Sequence, residues 1–179
     1  KLAKIEEYID DGLYFTINRA RQFGKTTTLK ALYRRLLDRY HVIPISFEVG
    51  GVVNDKVEDF CRNFEFKMSK AGGMTSEQSD FWLNKDKSTS LEELSSKITT
   101  YCKLQSKPVL LLIDEVDKST NNQMFLDFLG MLRNKYLERS KRGLNSTFLG
   151  VILAGVYDVK TLKLKIRPES EQKYNSPWN

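Results

Sequence analysis

The sequence predicts an α/β fold built on a mostly parallel sheet, and three observations predict it. Short apolar, aromatic or β-branched runs alternate along the chain with segments of helical periodicity. The run "PVLLLID" (108–114) is continuously apolar over the length of one strand, as in a sheet covered on both faces. "LYFTIN" (13–18) is followed within a few residues by a glycine and a leucine-spaced helix, which makes a strand, a tight loop and a helix.

Element by element, Leu2, Ile5 and Ile9 recur at helical spacing and stop at "DDG", so a short helix and a turn open the chain. The strand 13–18 follows. Beyond Gly24, Leu29, Leu32, Tyr33, Leu36, Leu37 and Tyr40 keep the i, i+3, i+4, i+7 pattern, with Lys30, Arg34, Arg35 and Asp38 mostly on the other face. "HVIPISFEV" (41–49) reads as a second strand, in which Pro44 argues against a central ladder position. The segments 55–71 and 90–106 read as helices, the second capped by Ser90 with Glu93 three residues on. Between them, "AGGMTSEQSDFWLNKDKSTS" (71–90) is rich in Gly, Ser and Thr and is expected to be a surface loop. After the strand 108–114, a long helix over 122–143 ends at Gly143, and 147–155 supplies the last strand. Phe60, Phe64, Phe66, Phe125 and Phe128 sit at spacings expected of core packing rather than base stacking.

At 179 residues, 40% apolar and 29% charged, the chain fits one soluble domain, taken as 1–179. It begins with Lys1 and stops soon after its last strand, so a domain cut from a longer protein is expected. No apolar run approaches the roughly 18 residues a bilayer span needs, and the start "KLAKIEEYIDDG" has charges where a signal peptide would be apolar, so a cytoplasmic protein with no membrane partner is expected. Cys61, Cys102 and the single His41 assemble neither a disulfide framework nor a zinc site. The formal charge of +6 favours anionic partners, nucleotide and nucleic acid alike, and is concentrated in "RNKYLERSKR" (133–142) and "KTLKLKIR" (160–167). In the latter, Leu162, Leu164 and Ile166 alternate with cations, which suits an edge strand guarded by lysines and also admits contact with a DNA backbone.

Two motifs carry chemistry. Binding a triphosphate needs concentrated donors without bulk: backbone N–H groups curled around phosphates, a helix N-terminus behind them, and a cation that reaches the terminal oxygens. "QFGKT" between a strand and a helix has that form. Gly24 permits close backbone approach, Lys25 bridges the β and γ phosphates, and the Thr26 hydroxyl ligates Mg²⁺, with the backbone from Gln22 through Phe23 to Thr27 as the cradle. The second motif, "VLLLIDE", places Asp114 and Glu115 at the C-terminal end of an apolar strand, where open α/β sheets bind ligands. Asp114 is then a second holder of the Mg²⁺ shell, and Glu115 orients and deprotonates the attacking water. Arg19 stands where the pattern G-x-x-x-x-G-K-[ST] has its first glycine. With Arg21 it flanks the proposed polyanion site and complements its charge.

The stretches "YFTINRARQFGKTTTL", "VLLLIDEVD", "FLDFLGMLRNKYLE" and "VILAGVYDVKTLKLKIRPE" with "KYNSPWN" resemble the bacterial AAA-ATPase-like family of P-loop proteins, whose loop reads R-x-R-x-F-G-K-[ST]. Arginine in place of the first glycine is a trait of that family. The resemblance covers nearly the whole chain and implies a P-loop NTPase three-layer sandwich of AAA or STAND type, with ATP and Mg²⁺ as its ligands. It also implies an additional strand between the two Walker elements, assigned to "HVIPISFEV". Many members carry a C-terminal PD-(D/E)XK nuclease-like domain, whose motif this chain does not show. Related ATPases place a polar sensor at the end of the fourth strand, where this chain has Ala154, with Tyr157 and Asp158 nearby.

The implied activity is Mg²⁺-dependent ATP binding and slow hydrolysis, with nucleotide state passed to other domains or subunits of a homo-oligomer or a C-terminal partner domain. A nucleotide switch without useful turnover and a small-molecule kinase are the alternatives; the adjacent Asp-Glu pair argues against the kinase, which keeps water out. Glu48 at the end of the second strand is a further water-positioning candidate. Arg133, Arg139 and Arg142 are candidates for an arginine finger across a subunit contact, weighed against a solvated helix face. Asp117 is expected to cap a turn.

Overall fold

The computed structural model describes residues 2–18, 24–47, 56–116, 123–143 and 146–155. Within them the order is α1 (Leu2–Asp10), β1 (Tyr14–Asn18), α2 (Lys25–Leu36), β2 (His41–Ser46), α3 (Val57–Ser69), α4 (Ser76–Leu83), α5 (Leu91–Leu104), β3 (Val109–Asp114), α6 (Gln123–Arg142) and β4 (Gly150–Gly155). The four strands form one sheet in the order β1-β4-β3-β2, and every pairing is parallel.

Burial on both faces explains the apolar runs. In β3, Val109, Leu111 and Ile113 face the cluster built with α3 to α6, while Leu110 and Leu112 face the cluster built with α1 and α2. The same alternation divides β4, where Val151 and Leu153 face one layer and Ile152 and Ala154 the other. A strand with period-two side chains and helices on both sides has no solvent face, so every position is apolar. The result is a three-layer α/β sandwich, as the P-loop resemblance implies.

The strand between β1 and β3 is β4, not the 41–49 segment to which the additional strand was assigned. β2 lies outside β3, and its hydrogen bonding shows why Pro44 fits there. His41 and Phe47 donate their backbone N–H groups to Pro108 and Asp114 carbonyls of the β3 side, so the odd-numbered residues of β2 face β3 and the even-numbered ones face outward. Pro44 is even-numbered, and the N–H it lacks would point away from the ladder. The outward carbonyl of Ser46 accepts from the Lys67 ammonium of α3 at 2.7 Å, which covers that edge.

Two expectations are corrected. The 71–90 segment is not a plain surface loop: it contains α4, opened by a capping box in which Gln78 N–H donates to Thr75 Oγ1 and Thr75 N–H donates to Gln78 Oε1. α4 carries Trp82, fully buried against Phe64, Phe81 and Tyr101. The residues after it are fastened by Glu65, a fully buried carboxylate that accepts from Ser88 N–H and Oγ and pairs with Lys97 at 3.3 Å and Lys87 at 3.6 Å. A charge so buried is tolerated because it is paired on several sides. Ser90 does cap α5, but Glu93 reaches back to Thr89, not to Ser90. The second correction is Phe66, which is 53% exposed, whereas Phe60, Phe64, Phe125 and Phe128 are buried as expected. Phe66 follows Phe64 by two residues, about 200° around the helix, and so leaves the buried face.

Arg139 of α6 is not a solvated arginine. Its guanidinium donates to the Leu149 carbonyl at 2.6 Å and the Gly12 carbonyl at 2.5 Å, and lies over the Tyr136 ring at 4.3 Å. It thereby joins the starts of β1 and β4 to α6.

Trp82→Ala should lower stability by about 3–5 kcal/mol through the cavity it leaves, and Phe66→Ala by no more than about 0.5 kcal/mol as a surface change. Urea unfolding of both variants measures the difference; equal effects would place Trp82 outside the core.

Candidate functional site

Thr26, Asp114 and Glu115, the described candidates of the two motifs, lie together at the C-terminal end of β3. Asn18 ends β1 opposite Gly155 of β4, and Asp114 ends β3 opposite Ser46 of β2. The apolar run stops at the residue where the sheet stops being covered: Ile113 is fully buried, and Asp114 and Glu115 are half-buried.

The first motif is arranged as the start of a helix. Gly24 is the N-cap of α2 with φ 71° and ψ 33°, a left-handed conformation that glycine adopts at little cost. Thr28 ties that turn down, its backbone N–H at 2.8 Å and its Oγ1 at 2.9 Å both donating to the Gly24 carbonyl. No acidic residue lies in the first turn of α2. The partial positive charge of the helix N-terminus therefore meets no carboxylate from its own first turn. Thr26 and Thr27 are exposed there. Lys25 is the first residue of α2; its side chain, together with Arg19, Arg21, Gln22 and Phe23, lies outside the described residues.

The two motifs meet. Thr26 Oγ1 donates to Asp114 Oδ2 at 2.9 Å, across 88 residues of sequence. The other oxygen, Oδ1, accepts the backbone N–H of Glu115 at 2.8 Å. Glu115 itself has φ 59°, the sole positive φ of a non-glycine residue among the described residues. Such backbone is uncommon for a residue with a Cβ and clusters at functional sites. The strand thus turns sharply at the point where its two acids stand.

Sequence reading missed one contributor. Thr28 lies within the motif but carries no expected chemistry; its work is to fasten the glycine turn. Lys67 stands apart from it, on the side of β2 away from β3, where its ammonium meets the outward Ser46 carbonyl and burial lowers its pKa from the ordinary lysine value. Ala154, expected to be a poor sensor, is fully buried against the α1 and α2 side of the sheet and acts as packing. Arg139 stands at the opposite end of the strands, its guanidinium bound to the carbonyls of Leu149 and Gly12, which precede β4 and β1. Arg133 is half-buried on α6; the Arg142 side chain, Glu48, Asp117, Tyr157, Asp158 and the 160–167 segment lie outside the described residues.

The donor set suits a hard cation with oxygen ligands. Among the described residues no group of three or more His, Cys, Asp or Glu is placed to hold a metal by itself. One hydroxyl and one carboxylate in contact fit Mg²⁺, which commonly keeps waters and takes its other ligands from a bound phosphate. Among the described residues no helix is long and apolar enough to cross a membrane.

A family model described as an AAA-like domain matches residues 2–160. No curated protein matches the chain. Among solved structures, Drosophila ORC bound to AT-rich DNA and Cdc6 is similar at 12% identity and a TM-score of 0.48, covering 90% of this chain and 47% of that one. Drosophila ORC bound to DNA gives 12% identity, a TM-score of 0.46, and 91% and 77% of the two chains. The chain thus spans about half the length of the first of these.

If the 2.9 Å contact joins α2 to β3 in solution, Thr26→Val should cost about 0.5–1.5 kcal/mol of stability in the absence of ligand, and Thr26→Ser close to nothing. Urea midpoints of the two variants decide; equal losses would mean that the hydroxyl makes no such bond.

Proposed function

The chain belongs to the AAA-like domain family, and on that premise we propose that it binds Mg²⁺-ATP at the C-terminal edge of its sheet and hydrolyses it slowly, passing nucleotide state to neighbouring domains or subunits. The observation that carries this reading is the 2.9 Å contact between Thr26 and Asp114. It joins the hydroxyl that follows the Gly-Lys pair to the carboxylate that ends the apolar strand. Either motif alone is a common piece of sequence; their side chains in contact form a hydroxyl and carboxylate pair of the kind that holds Mg²⁺ beside a triphosphate.

In this reading the backbone from Gln22 to Thr27, at the N-terminus of α2, donates to the phosphates, and Gly24 keeps that turn free of a side chain. Lys25 neutralises the terminal phosphates, and Arg19 and Arg21 add positive charge at the rim. Thr26 and Asp114 would hold Mg²⁺, which when bound draws charge from the phosphate oxygens. Glu115, next to Asp114, takes the proton of the attacking water. Its half-buried position suits a base that meets water at the edge of the site.

A second reading rests on Ala154. The end of β4 offers packing, fully buried, instead of a polar side chain that could report on the terminal phosphate. That favours a nucleotide-dependent switch with little turnover, completed by a partner.

Lys25→Ala should weaken Mg²⁺-ATP binding by at least tenfold, read by calorimetric titration; unchanged affinity would remove the loop from the site. Glu115→Gln should leave affinity within a few-fold and lower phosphate release by about 10²-fold or more, the usual size of a lost general base. Affinity without release in the wild type as well would select the switch.

A further inference from the structure

A cavity of about 160 Å³ lies at the start of β2, at the end of the strands opposite Asp114. Its wall includes Tyr33 of α2, His41 as the first residue of β2, Gly73 ahead of α4, and Ser106 and Lys107 of the lead into β3. Among the described residues no carboxylate lines it, and Tyr40 on the same wall donates its hydroxyl to Asp10 at 2.6 Å. The Tyr33 hydroxyl, the Ser106 hydroxyl and His41 Nδ1 make no hydrogen bond among the described residues. Gly73, at φ 82°, is in the left-handed region that glycine favours, and a Cβ there would stand 2.5 Å from the Tyr33 hydroxyl oxygen. Lys107 is anchored by donating to the Leu37 carbonyl at 3.0 Å, which leaves two of its N–H groups for another acceptor.

His41 is built to carry a charge on this wall. Its Nε2 lies 2.8 Å from Tyr101 Oη, and Tyr101 in turn donates to Met74 Sδ at 3.2 Å. With the Tyr101 proton given to sulfur, the phenolic oxygen accepts Nε2–H, and the imidazolium keeps Nδ1–H as its second donor. Burial and the Lys107 charge hold the pKa of the ring below the ordinary histidine value. The two cations oppose each other until an anion stands with them.

We infer that this cavity binds a phosphate group, with the Lys107 ammonium, the His41 imidazolium and the hydroxyls of Tyr33 and Ser106 as its donors. These donors come from α2, β2 and the lead into β3, so they approach from several directions. A tetrahedral phosphate, with several strong acceptor oxygens, suits that spread better than a planar carboxylate. The site stands at the opposite end of the sheet from Thr26, Asp114 and Glu115, and it does not depend on the proposed ATP chemistry.

The chain has a single histidine, so the imidazole proton resonances of the untagged protein belong to His41 alone. They are followed by NMR against pH, with inorganic phosphate and with chloride at matched ionic strength. The His41 midpoint should rise with phosphate, saturate as phosphate is added, and not follow chloride. Lys107→Gln should weaken phosphate binding by about tenfold or more, the size of one charge-assisted hydrogen bond. Tyr33→Phe, which removes only a hydroxyl, should weaken it less and serves if Lys107→Gln folds poorly. Lys25→Ala should leave the His41 response unchanged, which separates this site from the ATP loop. Phosphoserine distinguishes the source: a response to inorganic phosphate alone identifies the free ion as the ligand, and a response to both a phosphorylated molecule. A midpoint that ignores both compounds, a response that chloride reproduces, or one identical to wild type in Lys107→Gln and Tyr33→Phe overturns the inference.

Discussion

Burial of β3 on both faces is the constraint on which the rest depends. Its five apolar residues are at most 2% exposed, and alternate ones serve opposite helix layers. A strand so enclosed cannot carry a polar side chain anywhere along its length, because an unpaired polar group there would go without water or partner. Polarity is therefore expelled to its end, and Asp114 is the first residue at which the covering layers stop. The core that stabilises the sheet also decides where the acids stand.

The same enclosure brings α2 to them. β1 and β3 are separated by β4, and α2 packs against β2 and β3, with Leu29, Leu32 and Leu36 in the same buried cluster as the side chains of that face of β1 and β4. The N-terminus of α2 thus meets the end of β3, where Thr26 reaches Asp114. A helix N-terminus with no acid in its first turn, a glycine turn fastened by Thr28, and two acids placed by a buried strand are thus held together by packing. At the other pole Arg139 ties α6 to the starts of β1 and β4.

Much of this was legible in the sequence where period and burial coincide. Every strand and long helix of the described residues lies within the span that its apolar pattern predicts, and Pro44 correctly marks an edge strand. What failed to read were features decided by contacts far apart in sequence. α4 hides in a Gly, Ser and Thr-rich stretch because its one large buried residue, Trp82, finds its partners on α3 and α5. Phe66 looks like its phenylalanine neighbours but turns away from them by helix geometry. The strand inserted between β1 and β3 comes from the end of the described chain, an order that the linear sequence does not contain. At the site, residue types and spacing named Thr26, Asp114 and Glu115, whereas the left-handed backbone of Glu115 exists only in the fold.

The central claim is that Thr26 and Asp114 together hold the cation that accompanies a bound triphosphate. Its most direct test is the affinity for ATP with and without Mg²⁺, measured by calorimetry on the wild type and on Asp114→Ala. The account predicts that Mg²⁺ strengthens binding to the wild type and that this gain is largely lost in Asp114→Ala. An equal Mg²⁺ gain in both proteins would contradict it, because the cation would then be held without the carboxylate at the end of β3.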